Sequence, residues 1–351
     1  MSCVSIPNFP KPKSNRTGWP WTVETPSSDY DSRSHWPRVT IITPSFNQGE
    51  FIEETIRSVL LQNYPNLQYI IIDGGSTDNT TEKLKQYSPW IDHWVSEPDR
   101  GQSHAIIKGL AQSNGNWVNW LNSDDFLLPR ALHSLAEATS DIRAPLLVGG
   151  RLQALFSDGS TECLPSLNLH RSLAELLVNH HMAQPAMFYR RDAFPSVSEE
   201  LHLAMDFEMW TQFLCKHSAE RVIEIDTPVA VFRHHPNAKT TQQAVGFEAE
   251  ERAVLRNLVA CLGGSKSFQT ALSQTSRSKN FDTRNAPELS ELAPSLIHRY
   301  LWGDLRQSTY RHGWKKSRDL RDACAEWDLL GTYLIAAKAW FKRLLHRPLD
   351  T

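Results

Sequence analysis

Several common architectures are ruled out by what this chain lacks. Its 351 residues hold only five cysteines, Cys3, Cys163, Cys215, Cys261 and Cys324. The number is odd and no pair has CxxC spacing, which excludes a dithiol redox motif or a thiolate zinc ribbon and fits a reducing compartment. No apolar run reaches the roughly 18 residues that a membrane-spanning helix needs. The nearest candidate, Leu329 to Ala337, is followed by Lys338. The N-terminus has no apolar stretch resembling a secretory leader, so the expected setting is cytoplasmic. Charge of one sign is missing too: 37 Lys and Arg face 39 Asp and Glu, a net charge of -2. That balance gives no reason to expect a nucleic-acid partner. Glycine is absent where nucleotide folds use it most. The loop Pro44-Ser-Phe-Asn-Gln-Gly-Glu50 has one glycine, so it is not a G-x-G-x-x-G dinucleotide turn. No G-x-x-x-x-G-K-[ST] phosphate loop occurs either.

What is present is a strongly patterned middle. Residues 1–37 are proline-rich and polar, with Trp19 and Trp21 among them. They read as an irregular arm lying against the main domain. From Arg38 the pattern changes. Val39 to Thr43 is a short β-branched run, followed by Ile52, Ile56, Val59 and Leu60 at helical spacing. Further strands are expected at Leu67 to Ile72, His93 to Ser96 and Trp117 to Leu121, with helices at Thr80 to Gln86 and through Lys108. Strand alternating with helix predicts an α/β fold with a mostly parallel sheet. Ligands of such sheets bind at the carboxyl ends of the strands. Asp73, Glu97, Asp124 and Asp125 fall at or just beyond those ends. The second half is less regular. It holds expected strands at Leu146 to Leu155, Ala186 to Tyr189 and Val229 to Phe232, a helix at Met205 to Lys216, and a helical tail.

Asp124-Asp125, directly after an apolar strand, is the most informative pair. Hard cations such as Mg²⁺ or Mn²⁺ are commonly held by one or two carboxylates together with substrate phosphates. A solvated turn capping the helix near Pro129 is the plainer alternative. The runs PRVTIITPSFNQGEFIEETIRSVLLQNYPNLQYIIIDGGSTDNT, SEPDRGQSHAIIKGL and NWVNWLNSDD, in that order, resemble glycosyltransferase family 2. The arm's Gly18-Trp-Pro-Trp21 is similar to a feature of one bacterial subgroup.

The resemblance implies a GT-A fold: a Rossmann-like, mixed but mostly parallel sheet flanked by helices, here with a helical C-terminal extension. It divides the chain into an arm (1–37), a GT-A domain (38–245) and the extension (246–351). It implies that Thr43, Pro44 and Ser45 wrap the base and ribose, and that Asp73 accepts a hydrogen bond from the base. Lys108 and Asp124 join the donor site, and Asp125 and His235 the divalent metal. Two departures stand out: Ser123 where a strict D-x-D ending on Asp125 would begin, and Ile107 where many relatives have asparagine. Asp206 aligns with the family's catalytic base, although it is equally placed to cap its own helix. Gln184, Arg190 and Arg191 match a stretch bordering the acceptor.

The implied activity is transfer of a sugar, with inversion, from a UDP-, dTDP- or GDP-sugar to a hydroxyl of a saccharide or lipid-linked acceptor in cell-surface polysaccharide synthesis. A catalytically inactive saccharide-binding or scaffolding relative is the alternative. Glu326 to Arg347 is amphipathic with a basic face. It is either a peripheral contact with the inner face of the plasma membrane or a helix packed on the protein.

Overall fold

The computed structural model describes residues 2–12, 15–31, 36–140, 144–165, 167–178, 182–272, 281–296, 299 and 325. The chain forms two compact units. The first comprises Met1–Asn168, His181–Met209 and Ala219–Gln243, and the second Leu169–His180, Trp210–Ser218 and Ala244–Thr351. The second unit thus draws on two segments from the earlier part of the chain as well as on its C-terminal part.

In the first unit the arm is not a loose appendage. Its strands β1 (Ser2–Cys3) and β2 (Val23–Glu24) pair antiparallel. Phe9, Tyr30 and Trp36 join the main hydrophobic core, and Trp21 is buried as well. Tyr30 meets Trp36 edge-on at 5.1 Å and Tyr64 at 5.6 Å between ring centroids. Burying large aromatics of this kind supplies most of what holds so polar a segment in place.

The α/β region then runs β3 (Val39–Ser45), α1 (Ile52–Leu60), β4 (Leu67–Asp73), α2 (Thr80–Tyr87), β5 (His93–Ser96), α3 (Gln102–Gln112), β6 (Trp117–Trp120), β7 (Phe126–Leu127), α4 (Ala131–Ala138), β8 (Leu147–Leu155) and β9 (Thr161–Cys163). After α5 (Leu173–Val178), which belongs to the second unit, come β10 (Met187–Arg190), α6 (Met205–His217), β11 (Val222–Arg233) and α7 (Lys239–Gln242). Among the described residues these strands form one nine-stranded sheet in the order β5-β4-β3-β6-β10-β8-β11-β7, with β9 on β8. β5, β4, β3 and β6 are mutually parallel. β10 is antiparallel to both β6 and β8, and β7 is antiparallel to β11. The sheet is therefore mixed but mostly parallel, as expected, and every residue of β3 is buried.

Two glycines allow the close packing. A Cβ on Gly109 of α3 would lie 2.4 Å from Ile42 Cγ2 on β3, so the helix seats directly on the strand. Gly49, the single glycine of the first loop, would collide with the Asn79 side chain at 1.7 Å.

The second unit is helical in its described residues. It contains α5, the end of α6, α8 (Ala244–Cys261) and α9 (Lys266–Leu272). Leu176, Leu177, Phe213, Leu214, Leu255, Leu258, Phe268 and Leu292 are buried there. Arg299 pairs with Glu251 at 2.7 Å. The amphipathic segment Glu326 to Arg347 lies outside the described residues. Among those described, no helix is long and apolar enough to cross a membrane.

Candidate active site at the strand ends

The carboxyl ends of β3, β4, β5 and β6 share one edge of the sheet, and the loops beyond them are tied together. Gly74 N–H donates to Ser45 O at 2.8 Å. Asn47 N–H donates to Ser76 Oγ at 2.7 Å, while Asn47 Oδ1 accepts from Thr77 N–H at 2.9 Å. Gly49 N–H donates to Asp78 Oδ2 at 2.8 Å. Asn47 holds φ of 52°, a left-handed conformation that asparagine tolerates well. Beside these ties stands Phe46, 59 % exposed and one of two large exposed apolar side chains among the described residues. Its sequence signal is an aromatic ring set among the polar residues of the loop from Ser45 to Glu50.

Asp73 is fully buried at the end of β4. Its Oδ2 accepts from Gly75 N–H at 3.2 Å, Ser76 N–H at 2.9 Å and Ser96 Oγ at 2.6 Å, and Oδ1 accepts from Ser76 Oγ at 2.5 Å. The carboxylate thus organises the turn that carries it. Thr43 Oγ1 lies 3.1 Å from the Tyr69 hydroxyl. Ser45 Oγ is buried at the end of β3 and has no hydrogen-bond partner among the described residues. Lys108 on α3 bonds Glu97, whose carboxyl is held below its ordinary range by that hydrogen bond and the lysine charge.

The loop after β6 is gripped by α1. Thr55 Oγ1 lies 2.9 Å from Ser123 O and 2.7 Å from Asp125 O. Leu127 N–H donates to Ser58 Oγ at 3.0 Å, and Gln62 Nε2 donates to Leu128 O at 2.8 Å. Thr55, Ser58 and Gln62 stand three and four residues apart, so one helical face holds the whole loop. Within it the two aspartates differ. Asp125 is 1 % exposed. Its Oδ1 accepts the Arg233 backbone N–H at 3.0 Å, and its Oδ2 faces Asn122 Nδ2 at 3.3 Å. Burial, and then the neighbouring Asp124 charge, push the Asp125 carboxyl well above the usual range. Asp124 is the more open of the two, and its Oδ2 lies 3.1 Å from His235 Nε2. The expectation put the metal on Asp125 with His235. The structure has Asp124 and His235 facing one another, while Asp125 accepts from the Arg233 N–H at the end of β11.

Arg233, at the end of β11, is the fastener. Its Nε donates to Asp124 O at 3.0 Å, and its Nη2 pairs with Glu54 at 2.8 Å. The guanidinium lies over Phe51 and Phe126 at 5.1 and 5.3 Å. The His235 ring packs against Phe51 at 4.5 Å.

Residues 40–197 match the model of the family described as Glycosyl transferase family 2. This segment is a glycosyltransferase family 2 domain. The chain is 40% identical over 97 residues to TuaG of Bacillus subtilis, a glycosyltransferase named for teichuronic acid biosynthesis; the match covers 26% of this chain and 38% of TuaG. It is 37% identical over 106 residues to the uncharacterized glycosyltransferase Rv1514c of Mycobacterium tuberculosis, covering 30% of this chain and 40% of that one. The chain thus spans well under half the length of these relatives. Among solved structures, S. aureus TarS 1–349 matches with a TM-score of 0.58 at 17% identity, covering 87% of this chain and 91% of TarS. The family 2 fold is therefore the GT-A sheet described above.

The family 2 match stops short of Asp206 and His235, so their place rests on geometry. Asp206 is half-buried in the first turn of α6, and its Oδ1 accepts from Phe207 N–H at 2.8 Å. Ser103 Oγ reaches Met205 Sδ at 2.9 Å and Leu201 O at 3.2 Å. Its neighbour Gln102 bonds Asn122 at 2.7 Å, which brings the start of α6 beside the aspartate loop. Gln184 is buried, donating to Trp120 O at 2.6 Å and accepting from Asn122 at 3.2 Å. It ties the end of β6 to the aspartate loop from within the protein.

Arg190 and Arg191 are not brought to this site. Arg190 is paired in register with Trp117, the first residue of β6. Five residues of strand rise, about 17 Å, separate that point from residue 122. Arg191 donates to the Ser113 carbonyl through its guanidinium and to Asn116 O through its backbone N–H at 2.9 Å. Both arginines lie toward the amino-terminal edge of the parallel strands, because β10 runs antiparallel to β6.

Proposed function

We propose that the chain transfers a sugar from a nucleoside diphosphate sugar to a hydroxyl acceptor, using Asp124 and His235 for a divalent metal and Asp206 as the base. The observation that carries this reading is the Asp124–His235 pair, held at the strand ends by Arg233 and Thr55. A carboxylate oxygen and an imidazole nitrogen side by side suit Mg²⁺ or Mn²⁺, with phosphate oxygens of the donor to complete the set. When bound, such an ion stabilises the charge on the departing nucleoside diphosphate. The protein's own residues do the rest. Phe46 offers an exposed ring face to the base, with Ser45 and the Asp73 turn around the ribose. Asp125 and Arg233 fix the loop, and Asp206 takes the acceptor proton. The acceptor proposed is a saccharide or lipid-linked saccharide of a cell-surface polymer, in keeping with TuaG's name.

The test is binding of UDP, dTDP and GDP, each with and without Mn²⁺, measured by calorimetry and thermal shift. One nucleotide is expected to bind in a Mn²⁺-dependent way. Asp124→Asn is expected to remove that dependence while leaving the melting temperature close to the parent's. An Asp124→Asn protein that binds nucleotide with undiminished Mn²⁺ dependence removes Asp124 from the metal. Phe46→Ala tests the base platform separately. Stacking of a base on an aromatic ring contributes about 1–3 kcal/mol, so nucleotide affinity should fall roughly tenfold or more. Because Phe46 is exposed, stability should not change; equal affinity in the variant would place the base elsewhere.

A further inference from the structure

The loop after β5, Glu97 to Gly101, rests on the turn that carries Asp73. Glu97 N–H donates to Asp73 O at 3.0 Å, and a Cβ on Gly74 would lie 3.0 Å from Asp99 Oδ2. Asp99 Oδ1 accepts from Gly101 N–H at 2.7 Å, which closes the turn before α3. Arg100, between those two residues, reaches a segment 99 residues away. Its Nε donates to Glu199 Oε2 at 2.7 Å and its Nη2 to Glu199 Oε1 at 2.9 Å. Glu199 opens the stretch that leads into α6, where Asp206 stands in the first turn. The inner part of that stretch is held by single contacts. Ser103 Oγ meets Leu201 O at 3.2 Å and Met205 Sδ at 2.9 Å, and one hydroxyl proton cannot serve both. Lys239 Nζ donates to Gln102 Oε1 at 3.0 Å and to His202 O at 3.4 Å. The two-pronged pair is the stiffest of these ties, because parallel bonds fix angle as well as distance. Its side chains are open to water, 65 % and 36 % exposed, and ion pairs so exposed add little to global stability. What such a pair can do is hold two loops in register.

We propose that Arg100 and Glu199 are positioning residues for sugar transfer: their pair ties the loop after β5 to the stretch entering α6, and so sets the placement of Asp206 against the donor. The inference rests on the reading of Asp206 as the base. A general base acts only within hydrogen-bond reach of the proton it takes, and a displacement of about 1 Å can cost about 10²-fold in rate. Neither Arg100 nor Glu199 is among the residues proposed to hold the nucleotide or the metal. Loss of the pair therefore reaches turnover before it reaches binding.

The experiment uses the full chain with Mn²⁺ and a panel of UDP-, dTDP- and GDP-sugars, with water as the acceptor and released nucleoside diphosphate as the readout. Arg100→Glu and Glu199→Arg are each expected to lower turnover roughly tenfold or more, with donor KM and melting temperature near parental values. The double variant carrying both changes restores the pair with its charges exchanged and should recover most of the lost turnover. Arg100→Lys should stay slow, since one ammonium cannot form the fork. Parental turnover in both single variants overturns the proposal. So does a double variant no faster than the singles, which would mean that each residue acts alone. Should a charge reversal fail to fold, Arg100→Gln and Glu199→Gln are compared in the same way, and parental turnover in both again overturns it. If wild type releases no nucleoside diphosphate, hydrogen exchange of residues 199–206 decides. Exchange there should be faster in Arg100→Glu than in wild type, and equal exchange overturns the tie. Asp206→Asn is assayed alongside; parental turnover in that variant fails the base reading and not the pairing of the loops. If wild type binds none of UDP, dTDP and GDP, the underlying glycosyltransferase reading fails instead.

Discussion

Asp206→Asn is expected to slow sugar transfer by roughly 10² to 10⁴, the range typical for loss of a general base, while nucleotide and Mn²⁺ binding stay at parental levels. Asparagine keeps the shape of the side chain and can still accept the Phe207 N–H hydrogen bond, which spans 2.8 Å. It cannot take up a proton. A helix N-terminus favours a carboxylate in its first turn, where Asp206 stands. The separation of turnover from binding distinguishes Asp206 from Asp124, whose loss should damage metal-dependent binding itself. With base and leaving group on opposite faces of the anomeric carbon, the product should have the inverted configuration, read by nuclear magnetic resonance of the purified product. Retained configuration, or an Asp206→Asn enzyme with parental turnover, would move the base elsewhere. The buried Glu208, two residues on, is then the next carboxylate to replace.

Much of this architecture can be read from the residues, for a physical reason. Buried parallel strands are short, largely apolar runs, and β3, β4 and β6 follow that pattern to within two residues of the expected limits, while the edge strand β5 is only partly buried. Hidden elements were those whose pairing is decided by distant chain. β7 is two residues long and exists because β11 offers it an edge. The first half of β11, Val222 to Thr227, is partly exposed and carries no apolar run, yet it pairs with β8. The same distinction governs the site. Asp124-Asp125 was visible as a motif, but which carboxylate is open depends on an Arg233 backbone amide 108 residues away. Arg190 and Arg191 looked alike in sequence to residues lining a site; the reversal of strand direction at β10 carries them away. Motif spacing reports which loop holds the chemistry, and only the pairing of strands reports which side chains in it remain free to act.

Arg57→Leu should be the most damaging substitution outside the site itself, lowering stability by roughly 3 kcal/mol or more and detaching the arm. Arg57 is 1 % exposed. Its Nη1 donates to Pro10 O at 2.7 Å and to the Tyr87 hydroxyl at 2.9 Å. Its Nε and Nη2 donate to Pro20 O at 2.9 Å and Trp21 O at 2.5 Å. The guanidinium also lies over the Phe9 and Trp21 rings, 4.9 and 5.4 Å from their centroids. Three carbonyls of the arm thus depend on one side chain, and leucine would leave them buried without donors. Lysine should rescue little, since a single ammonium on a flexible stem cannot reproduce a planar fork aimed at several oxygens. The effect should extend to the site, because Arg57 and Thr55 stand on the same helix and Thr55 holds the aspartate loop. Trp19 Nε1–H, also from the arm, donates to Leu127 O at 2.8 Å in β7, directly behind that loop. Urea denaturation followed by tryptophan fluorescence measures the stability loss, and limited proteolysis within residues 1–37 measures detachment. Metal-dependent nucleotide binding should weaken in parallel. A variant with parental stability and a protease-resistant arm would show that apolar packing of Phe9, Trp21, Tyr30 and Trp36 suffices to hold the arm without the arginine.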